Sequence, residues 1–307
     1  RGAAGARHGV RQKVAELFCR TAPRHMRILH HERTARTGTE LSVREQAGVR
    51  ALYLGDAVQT EAWVFARHGG AIELAQPWEL VQLMLVLVLA WLEATPARSR
   101  VLVVGLGGGS LPRALAAFGV DVRVHSIELE EEMLEAATRW FGLVLTERCT
   151  AEVAEAGAWL RGAPSGAWDV IVLDVFTAAG LADCVADGGG LRESARVVAE
   201  GGLVIVDLHT AHGEGADDDA DRQAAAHVLR TLCTLFGHVY RFELTQTDNV
   251  LALCHDGDRR LDGAAWQTAM FGAWARAAEA CPGLDLRGAL ERLERVGGLA
   301  SEASEQS

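Results

Sequence analysis

The chain has 307 residues, 49% of them hydrophobic, which is enough to bury a sizeable core in one large domain or in one domain with a small extension. Its 30 Lys and Arg against 41 Asp and Glu give a net charge of −11, which argues against general nucleic-acid binding but allows a local basic patch. The six cysteines show no CxxC spacing, so they indicate reduced thiols of an intracellular, cytoplasmic protein, and no metal site is predicted.

The N-terminal stretch inverts this charge balance. Its first 36 residues hold nine Arg or Lys against Glu16 and Glu32. Transit peptides are rich in Arg and poor in acids, so organelle targeting by a truncated basic N-terminus stays open. We favour a basic, solvated leader helix over residues 1–40.

Short alternating runs come next, at 41–44, 49–54 and 57–64. They are separated by Gly48 and by Gly55-Asp56, which predicts a small antiparallel β-meander within residues 41–76.

The run from Leu80 to Leu92 is strongly apolar. It is too short to span a membrane and is interrupted by Gln82, so it predicts a helix buried beside a sheet and no membrane span.

A strand then runs into a glycine turn and a helix at Val101-Leu-Val-Val-Gly105-Leu-Gly107-Gly108-Gly109-Ser110-Leu-Pro112. Four consecutive apolar residues suit a parallel strand covered on both faces, and glycines let the backbone turn sharply and approach a ligand. After the next strand, Glu128 is placed to bind two ribose hydroxyls, as in folds that bind NAD or S-adenosylmethionine. Ser110 replaces the third glycine of the dinucleotide fingerprint, and a turn that binds nothing is the remaining interpretation.

Strands and helices alternate through this part of the chain, which predicts a parallel sheet with helices on both faces over residues 77–257. The predicted elements are a helix at 77–95, strand 101–105, helix 111–118, strand 122–127, helix 130–140, strands near 150–154 and at 169–174, helix 189–199, strand 202–208 and helix 220–236.

Two further runs, 238–244 and 249–254, predict a terminal β-hairpin. An antiparallel hairpin that closes a parallel sheet is typical of class I methyltransferases and is not expected in a plain dinucleotide fold. The predicted fold class is therefore α/β, a class I Rossmann-like sheet for S-adenosylmethionine preceded by a small β-meander. Residues 258–299 predict two C-terminal helices broken near Cys281-Pro282-Gly283, and residues 300–307 a disordered tail.

Over about residues 48–255 the chain resembles the spermidine synthase superfamily, and within it the methyltransferase-like branch that includes protein lysine and N-terminus methyltransferases. Three ordered motifs carry the resemblance: Gly105-Leu-Gly-Gly-Gly-Ser-Leu-Pro112, Ile127-Glu-Leu-Glu-Glu-Glu-Met-Leu134 and Ala137-Thr-Arg-Trp-Phe-Gly142. Three matches in order are much more specific than one glycine loop.

The resemblance implies a set of site residues. Gln59 resembles the glutamine that ends the family's N-terminal hairpin beside the cofactor, and Glu155 stands where the family has an Asp-Gly that receives the adenine amino group. Asp174 matches the first acid of the synthases' catalytic motif. The implied cofactor-binding residues are Gln59, Gly105, Gly107, Gly108, Gly109, Glu128, Glu155 and Asp174, and the implied cofactor is S-adenosylmethionine.

The departures from the family bear on the reaction. Asp174 is followed by Val-Phe-Thr177, without the second acid and proline of the aminopropyltransferases, and Trp78, Leu80 and Gln82 stand near the expected substrate tyrosine. A diamine is therefore expected to find little charge to pair with. We favour a methyltransferase; the alternatives are an aminopropyltransferase that uses decarboxylated S-adenosylmethionine and a catalytically silent nucleoside-binding scaffold.

Methyl transfer is an in-line displacement, so alignment supplies most of the rate and a base is needed only for a protonated acceptor. Asp174 and His209, at the carboxyl ends of predicted strands, are the catalytic candidates, with Asp207 lining the acceptor pocket. Helix or turn capping by Asp174 and a structural role for His209 are the plainer interpretations. The acceptor is a protein amine or a small molecule, and the chain is expected to form a homodimer through the meander.

Overall fold

Two sheets form the framework of the protein in the computed structural model, which describes residues 25–66, 72–75, 79–93, 99–118, 121–177, 180–210, 216–245, 247–278, 281 and 284–297. The predicted leader up to residue 24, the predicted tail and Trp78 lie outside these residues. Among the described helices, none is long and apolar enough to cross a membrane.

The first sheet is an antiparallel meander of five strands in chain order. Its strands are β1 (Arg27–Arg33), β2 (Glu40–Gln46), β3 (Val49–Leu54), β4 (Ala57–Ala66) and β5 (Ile72–Ala75). The meander was predicted, but β1 lies in the stretch predicted as a leader helix. β1 is an edge strand whose residues are mostly exposed. Its sequence therefore lacks the alternation of apolar and polar residues by which a strand is recognised.

The second sheet has eight strands. They are β6 (Arg100–Val104), β7 (Arg123–Glu128), β8 (Cys149–Val153), β9 (Trp168–Leu173), β12 (Val198–His209), β13 (His238–Glu243), β14 (Asn249–His255) and β15 (Leu293–Gly297), while β10 (Phe176–Thr177) and β11 (Gly180–Leu181) pair separately. The spatial order is β15-β13-β14-β12-β9-β6-β7-β8; the strands from β12 to β8 are parallel, and β14, β13 and β15 are antiparallel. The predicted parallel sheet with a closing hairpin is confirmed.

Nine helices lie among the described residues. They are α1 (Glu79–Glu93), α2 (Ser110–Phe118), α3 (Glu131–Trp140), α4 (Ala156–Gly162), α5 (Asp183–Ala186), α6 (Gly189–Val197), α7 (Ala216–Leu235), α8 (Ala264–Arg276) and α9 (Leu286–Glu291).

The helices pack on both faces of the second sheet, and the side chains of β6 alternate between these two faces. Val101 and Val103 face a core formed with α1, α2 and α8, whereas Leu102 and Val104 face a core formed with α7. Every residue of α1 from Glu79 to Leu92 is buried, as expected for a helix that is apolar all round.

The end of the chain differs from its prediction. Two helices were expected, and α8 and α9 are present, but Leu293–Gly297 forms β15 on the free edge of β13. Pairing with a distant strand decided this conformation, and local periodicity does not report such pairing.

The meander packs on α3. Leu41, Val43 and Leu52 share an apolar cluster with Met133 and Phe141. The Nη1 of Arg50 also donates to the carbonyl of Trp140 at the end of α3, at 2.7 Å. Thr60 of β4 also accepts the N–H of Gly108 in the loop after β6, so the meander reaches the carboxyl end of the parallel sheet.

Candidate functional site

Two cavities open at the carboxyl ends of the parallel strands, around the point where the strand order reverses between β6 and β9. One has a volume of about 600 Å³ and the other of about 270 Å³. They share a wall, so they form one cleft with two halves. The shared wall consists of Gln59, Gly105, Leu106, Gly107, Asp174 and Phe176.

Gly105 directly follows β6, and its backbone lies close to the backbone of Asp174 after β9. Its φ is +91°, and a Cβ at this position would stand 1.8 Å from the carbonyl oxygen of Asp174. Only glycine fits there, and its backbone lines both halves of the cleft.

The other predicted glycines have different surroundings. Gly107 lines both cavities, with φ +52°. Gly108 donates its N–H to Oγ1 of Thr60 at 2.8 Å, and a Cβ there would meet Thr60 at 2.6 Å. Gly109 packs against Leu143. Neither Gly108 nor Gly109 is among the residues that line the two cavities, so direct cofactor contact by these two glycines stays a prediction.

Glu128 ends β7 in the wall of the smaller cavity and is 9% exposed. Its Oε1 accepts the N–H groups of Leu129 at 2.7 Å and Glu130 at 3.0 Å, and its Oε2 accepts that of Leu106 at 3.1 Å. Burial raises the pKa of Glu128, and these hydrogen bonds counteract the increase. These three hydrogen bonds hold the carboxylate in one orientation and occupy part of its acceptor capacity, with Oε2 accepting only one of them. Its binding of a ribose diol stays a prediction.

Glu155 also lines the smaller cavity, but it has a structural task there. It is the N-cap of α4, and its two oxygens accept the N–H groups of Gly157 at 2.7 Å and Ala158 at 2.6 Å. The predicted adenine contact has to share a carboxylate that is already engaged in capping.

Asp174 and Asp207 form a hydrogen-bonded carboxyl pair in the larger cavity. Burial raises the pKa of Asp174 to about 6, and the charge of Glu128 adds to this effect. Burial and the charge of Asp174 raise the pKa of Asp207 well above its usual range. The Nδ2 of Asn249 donates to both oxygens of Asp207, at 3.0 and 2.8 Å. Because the two carboxyl groups lie against each other, the pair holds a proton more tightly than an isolated carboxyl group would.

His209 ends β12 and lines the larger cavity. Its Nδ1 lies 3.0 Å from Oδ2 of Asp221 on α7, and both side chains are partly exposed. A carboxylate at Nδ1 favours the tautomer whose Nε2 is unprotonated, which is the form that accepts a proton.

The structure also brings in residues that sequence reasoning missed. Thr60, Glu61 and Asn249 line the larger cavity. Asn249 is opposite His209 in the pairing of β14 with β12, and only that register reveals it. Leu80 lines the cavity as well, whereas the buried Gln82 is not among its lining residues.

The charge of the larger cavity corrects one expectation. A diamine was expected to find little charge, yet the carboxyl groups of Glu61, Asp174 and Asp207 line this cavity, and no Lys or Arg is among its described lining residues. The third acid was missed because Glu61 comes from the meander and meets the others only in the folded chain. Among the described residues, these acids included, no group of three or more His, Cys, Asp or Glu is arranged to hold a metal ion.

Comparison with known proteins gives two kinds of relatives, although no family model matches the chain. The polyamine aminopropyltransferase of Vibrio vulnificus is 24% identical over 162 residues, 52% of this chain and 51% of that protein. The eEF1A lysine and N-terminal methyltransferase of Mus musculus is 39% identical over 77 residues, 24% of this chain and 11% of that protein. The chain thus spans about half the length of the first relative and about a tenth of the second.

Solved structures of both kinds of protein resemble the chain. A probable spermidine synthase from Corynebacterium glutamicum superposes with a TM-score of 0.63 at 15% identity, covering 84% of this chain and 95% of that chain. Human methyltransferase-like protein 13 in complex with SAH gives a TM-score of 0.51 at 20% identity, covering 65% and 89%. The chain has the Rossmann-like fold of spermidine synthases and related methyltransferases. Both kinds of relatives are transferases by name.

Proposed function

We propose that the protein is an S-adenosylmethionine-dependent methyltransferase that acts on an amine. The observation that carries this proposal is the two-part cleft, in which Asp174 stands on the wall shared by a smaller half beside Glu128 and a larger, acidic half. A transferase needs this arrangement, since donor and acceptor have to meet at one point while each keeps its own site.

The smaller half fits a nucleoside. The preoriented carboxylate of Glu128 would hold the ribose hydroxyls, Gly105 and Gly107 would approach the ligand through their backbone, and Gln59 would cover it. Glu155 would contribute one edge of the adenine site, with Gly108 and Gly109 shaping the loop. When bound, the cofactor supplies an electrophilic methyl group on sulfonium.

The carboxylated cofactor is favoured by the glycine turn. It leads directly into α2, and Ser110 and Leu111 of its first turn line the larger cavity. Helix N-termini attract anions, so the carboxylate of S-adenosylmethionine would be stabilised here, and a decarboxylated cofactor would lose this contact. The local identity with the methyltransferase supports the same choice.

The larger half fits a cationic acceptor with an apolar stem. Leu80, Val81 and Leu111 line one part of it, and the Asp174–Asp207 pair as a unit provides negative charge. An amine has to lose a proton before its lone pair can attack, and His209, oriented by Asp221, would accept it. Asp174 would hold the amine in line. A lysine side chain or a protein N-terminus has these properties, and so has a small amine.

Aminopropyl transfer is the second candidate, because the cavity carries more carboxyl groups than the sequence indicated and polyamine aminopropyltransferases are among the relatives. A silent scaffold was expected to show a filled or distorted acceptor pocket, and the cavity of about 600 Å³ argues against a filled one. The homodimer and the intracellular location remain parts of the proposal; a particle of 32.9 kDa in light scattering would exclude the dimer.

Calorimetry with S-adenosylmethionine and its decarboxylated form tests the proposal. We expect the wild type to prefer the carboxylated form, and Glu128→Ala to weaken its binding at least about tenfold. Glu135→Ala, on the exposed side of α3, is the matched control and should change nothing. Preference for the decarboxylated form would establish the aminopropyltransferase instead, and binding of neither would leave the scaffold.

A further inference from the structure

Glu130 connects the carboxylate of Glu128 to the N-terminal sheet. Its own N–H donates to Oε1 of Glu128 at 3.0 Å. Its side chain is held by the loop between β1 and β2, here named the threonine turn (Thr34–Thr39). There, Oε1 accepts the N–H of Thr37 at 3.0 Å and its hydroxyl at 2.6 Å, and Oε2 accepts the N–H of Arg36 at 3.2 Å. Glu130 is only 2% exposed.

The threonine turn is internally braced. Thr34 donates its N–H to the carbonyl of Thr39 at 2.9 Å, Gly38 donates to the carbonyl of Thr34 at 3.0 Å, and the hydroxyls of Thr34 and Thr37 lie 2.9 Å apart. The groups of Arg36 and Thr37 that donate to Glu130 are therefore held in fixed positions. Burial raises the pKa of Glu130, but the hydrogen bonds from Thr37 and Arg36 outweigh it and keep this pKa below its ordinary value.

The same sheet also holds the opposite wall of the cleft. Thr60 of β4 accepts the N–H of Gly108, so the meander contacts both the glycine turn and the segment after β7. Glu132 gives a useful contrast. It accepts the N–H of Ala35 in the same turn at 2.8 Å, but its backbone does not bind Glu128.

We propose that Glu130 is a positioning residue of the cofactor site. By binding the threonine turn with its side chain, it keeps its N–H on Glu128, and docking of the N-terminal sheet thus orients the carboxylate that meets the ribose hydroxyls. This inference rests on the role proposed above for Glu128.

The test compares two nucleosides in calorimetry on the full chain: 5′-methylthioadenosine and its 2′,3′-dideoxy counterpart, which lacks the hydroxyls. Glu130→Gln should weaken binding of the first about tenfold, because Glu128 loses its fixed orientation, and should leave the second within about twofold. Glu132→Gln, the matched control on the same turn, should change neither. Thr37→Val removes one donor to Glu130 and should show a smaller loss of the same kind, and it carries the test if Glu130→Gln does not fold.

Equal losses for both nucleosides, equal effects of Glu130→Gln and Glu132→Gln, or no effect would overturn the inference, because each indicates a purely structural role. A wild type that binds neither nucleoside would contradict the proposed function itself. A wild type that ignores the hydroxyls would remove the role of Glu128 and the inference together. If the wild type distinguishes the two nucleosides and Glu130→Gln does so equally well, only the inference fails.

Discussion

Asp174 and Asp207 show how two neighbouring carboxyl groups change each other's pKa. Asp174 directly follows β9 and Asp207 lies near the end of β12, and the pairing of these two strands brings the side chains together. Because Asp207 is buried and Asp174 is half-buried, ionisation of one makes ionisation of the other costly. Such a pair carries one negative charge more readily than two, and that charge can hold a cation at the junction of the two halves of the cleft.

The pH dependence of stability follows from the raised pKa of Asp174. Its folded-state pKa of about 6 exceeds the ordinary value, so the folded protein binds this proton more tightly than the unfolded chain. Stability is therefore lost as pH rises from about 4 to 6 and stays reduced above. Asp174→Asn abolishes this loss, and we expect it to raise the free energy of unfolding by about 1 to 2 kcal/mol at pH 8 and much less at pH 4.5.

Urea denaturation at both pH values measures this difference. Transfer activity should fall about a hundredfold in the same variant. Asp121→Asn is the control, because that side chain is 82% exposed, and it should change stability by less than about 0.5 kcal/mol at either pH. An equal gain for Asp174→Asn at both pH values would show that the proton is not responsible.

The strand–turn–helix element from β6 to α2 is determined by close backbone approach as much as by ligand binding. Gly105 passes beside the carbonyl of Asp174, and Gly108 fits beneath Thr60. The glycines typical of a nucleotide site are thus also required by the close packing of the backbone after β6 against β4 and the end of β9.

Gly105→Ala should be strongly destabilising. The new Cβ would overlap the carbonyl of Asp174, and φ +91° is unfavourable for alanine, so we expect a loss of more than about 2 kcal/mol and a lower melting temperature. Gly162→Ala is the matched control. It lies in α4 with nothing within 4 Å of the new Cβ, and it should be neutral or up to about 1 kcal/mol stabilising. Wild-type stability of Gly105→Ala would contradict the described approach of the strands.

The C-terminal segment is tied to the centre of the protein by a buried acid. Glu79, 2% exposed at the start of α1, accepts the N–H and hydroxyl of Thr245, both at 2.9 Å, and Nη2 of Arg292 at 3.0 Å. Arg292 follows α9 and also donates Nε to the carbonyl of Glu243 at 2.8 Å. These contacts fasten α9 and β15 to the β13–β14 hairpin beside the acceptor half of the cleft.

Removal of this link should affect the stability of the entire fold. We expect Arg292→Met to lower the free energy of unfolding by about 2 kcal/mol, because Glu79 remains buried with less compensation for its charge. Arg260→Met breaks an exposed pair with Asp262 and should leave the free energy of unfolding nearly unchanged, because solvent screens this pair. Chemical denaturation of both variants at pH 7 checks this. Equal losses would indicate that the burial of Glu79 does not matter.

Much of the fold could be predicted from local patterns. The apolar strand 101–104, the helix at 79–93 and the closing hairpin follow from periodicity and composition, which act over a few residues. The positions of Glu128, Asp174 and His209 also follow, since carboxyl ends of parallel strands share one edge of the sheet. By contrast, β1 and β15 were missed because each is an edge strand whose partner, and not its own pattern, makes it a strand.

The sequence by itself determined the fold class, the strand ends that carry the candidate site and the location of the glycine turn. Burial, turn geometry and side-chain alternation leave a pattern in neighbouring residues, and this pattern can be recognised without the folded structure. The tertiary structure alone decided which groups meet there. It joined Asp207 to Asp174 and Asn249, added Glu61 and Thr60 from the meander, engaged Glu155 in capping and linked Glu128 through Glu130 to the threonine turn. These pairings depend on strand register and on the packing of the meander against α3. Both are set by contacts between residues far apart in the chain.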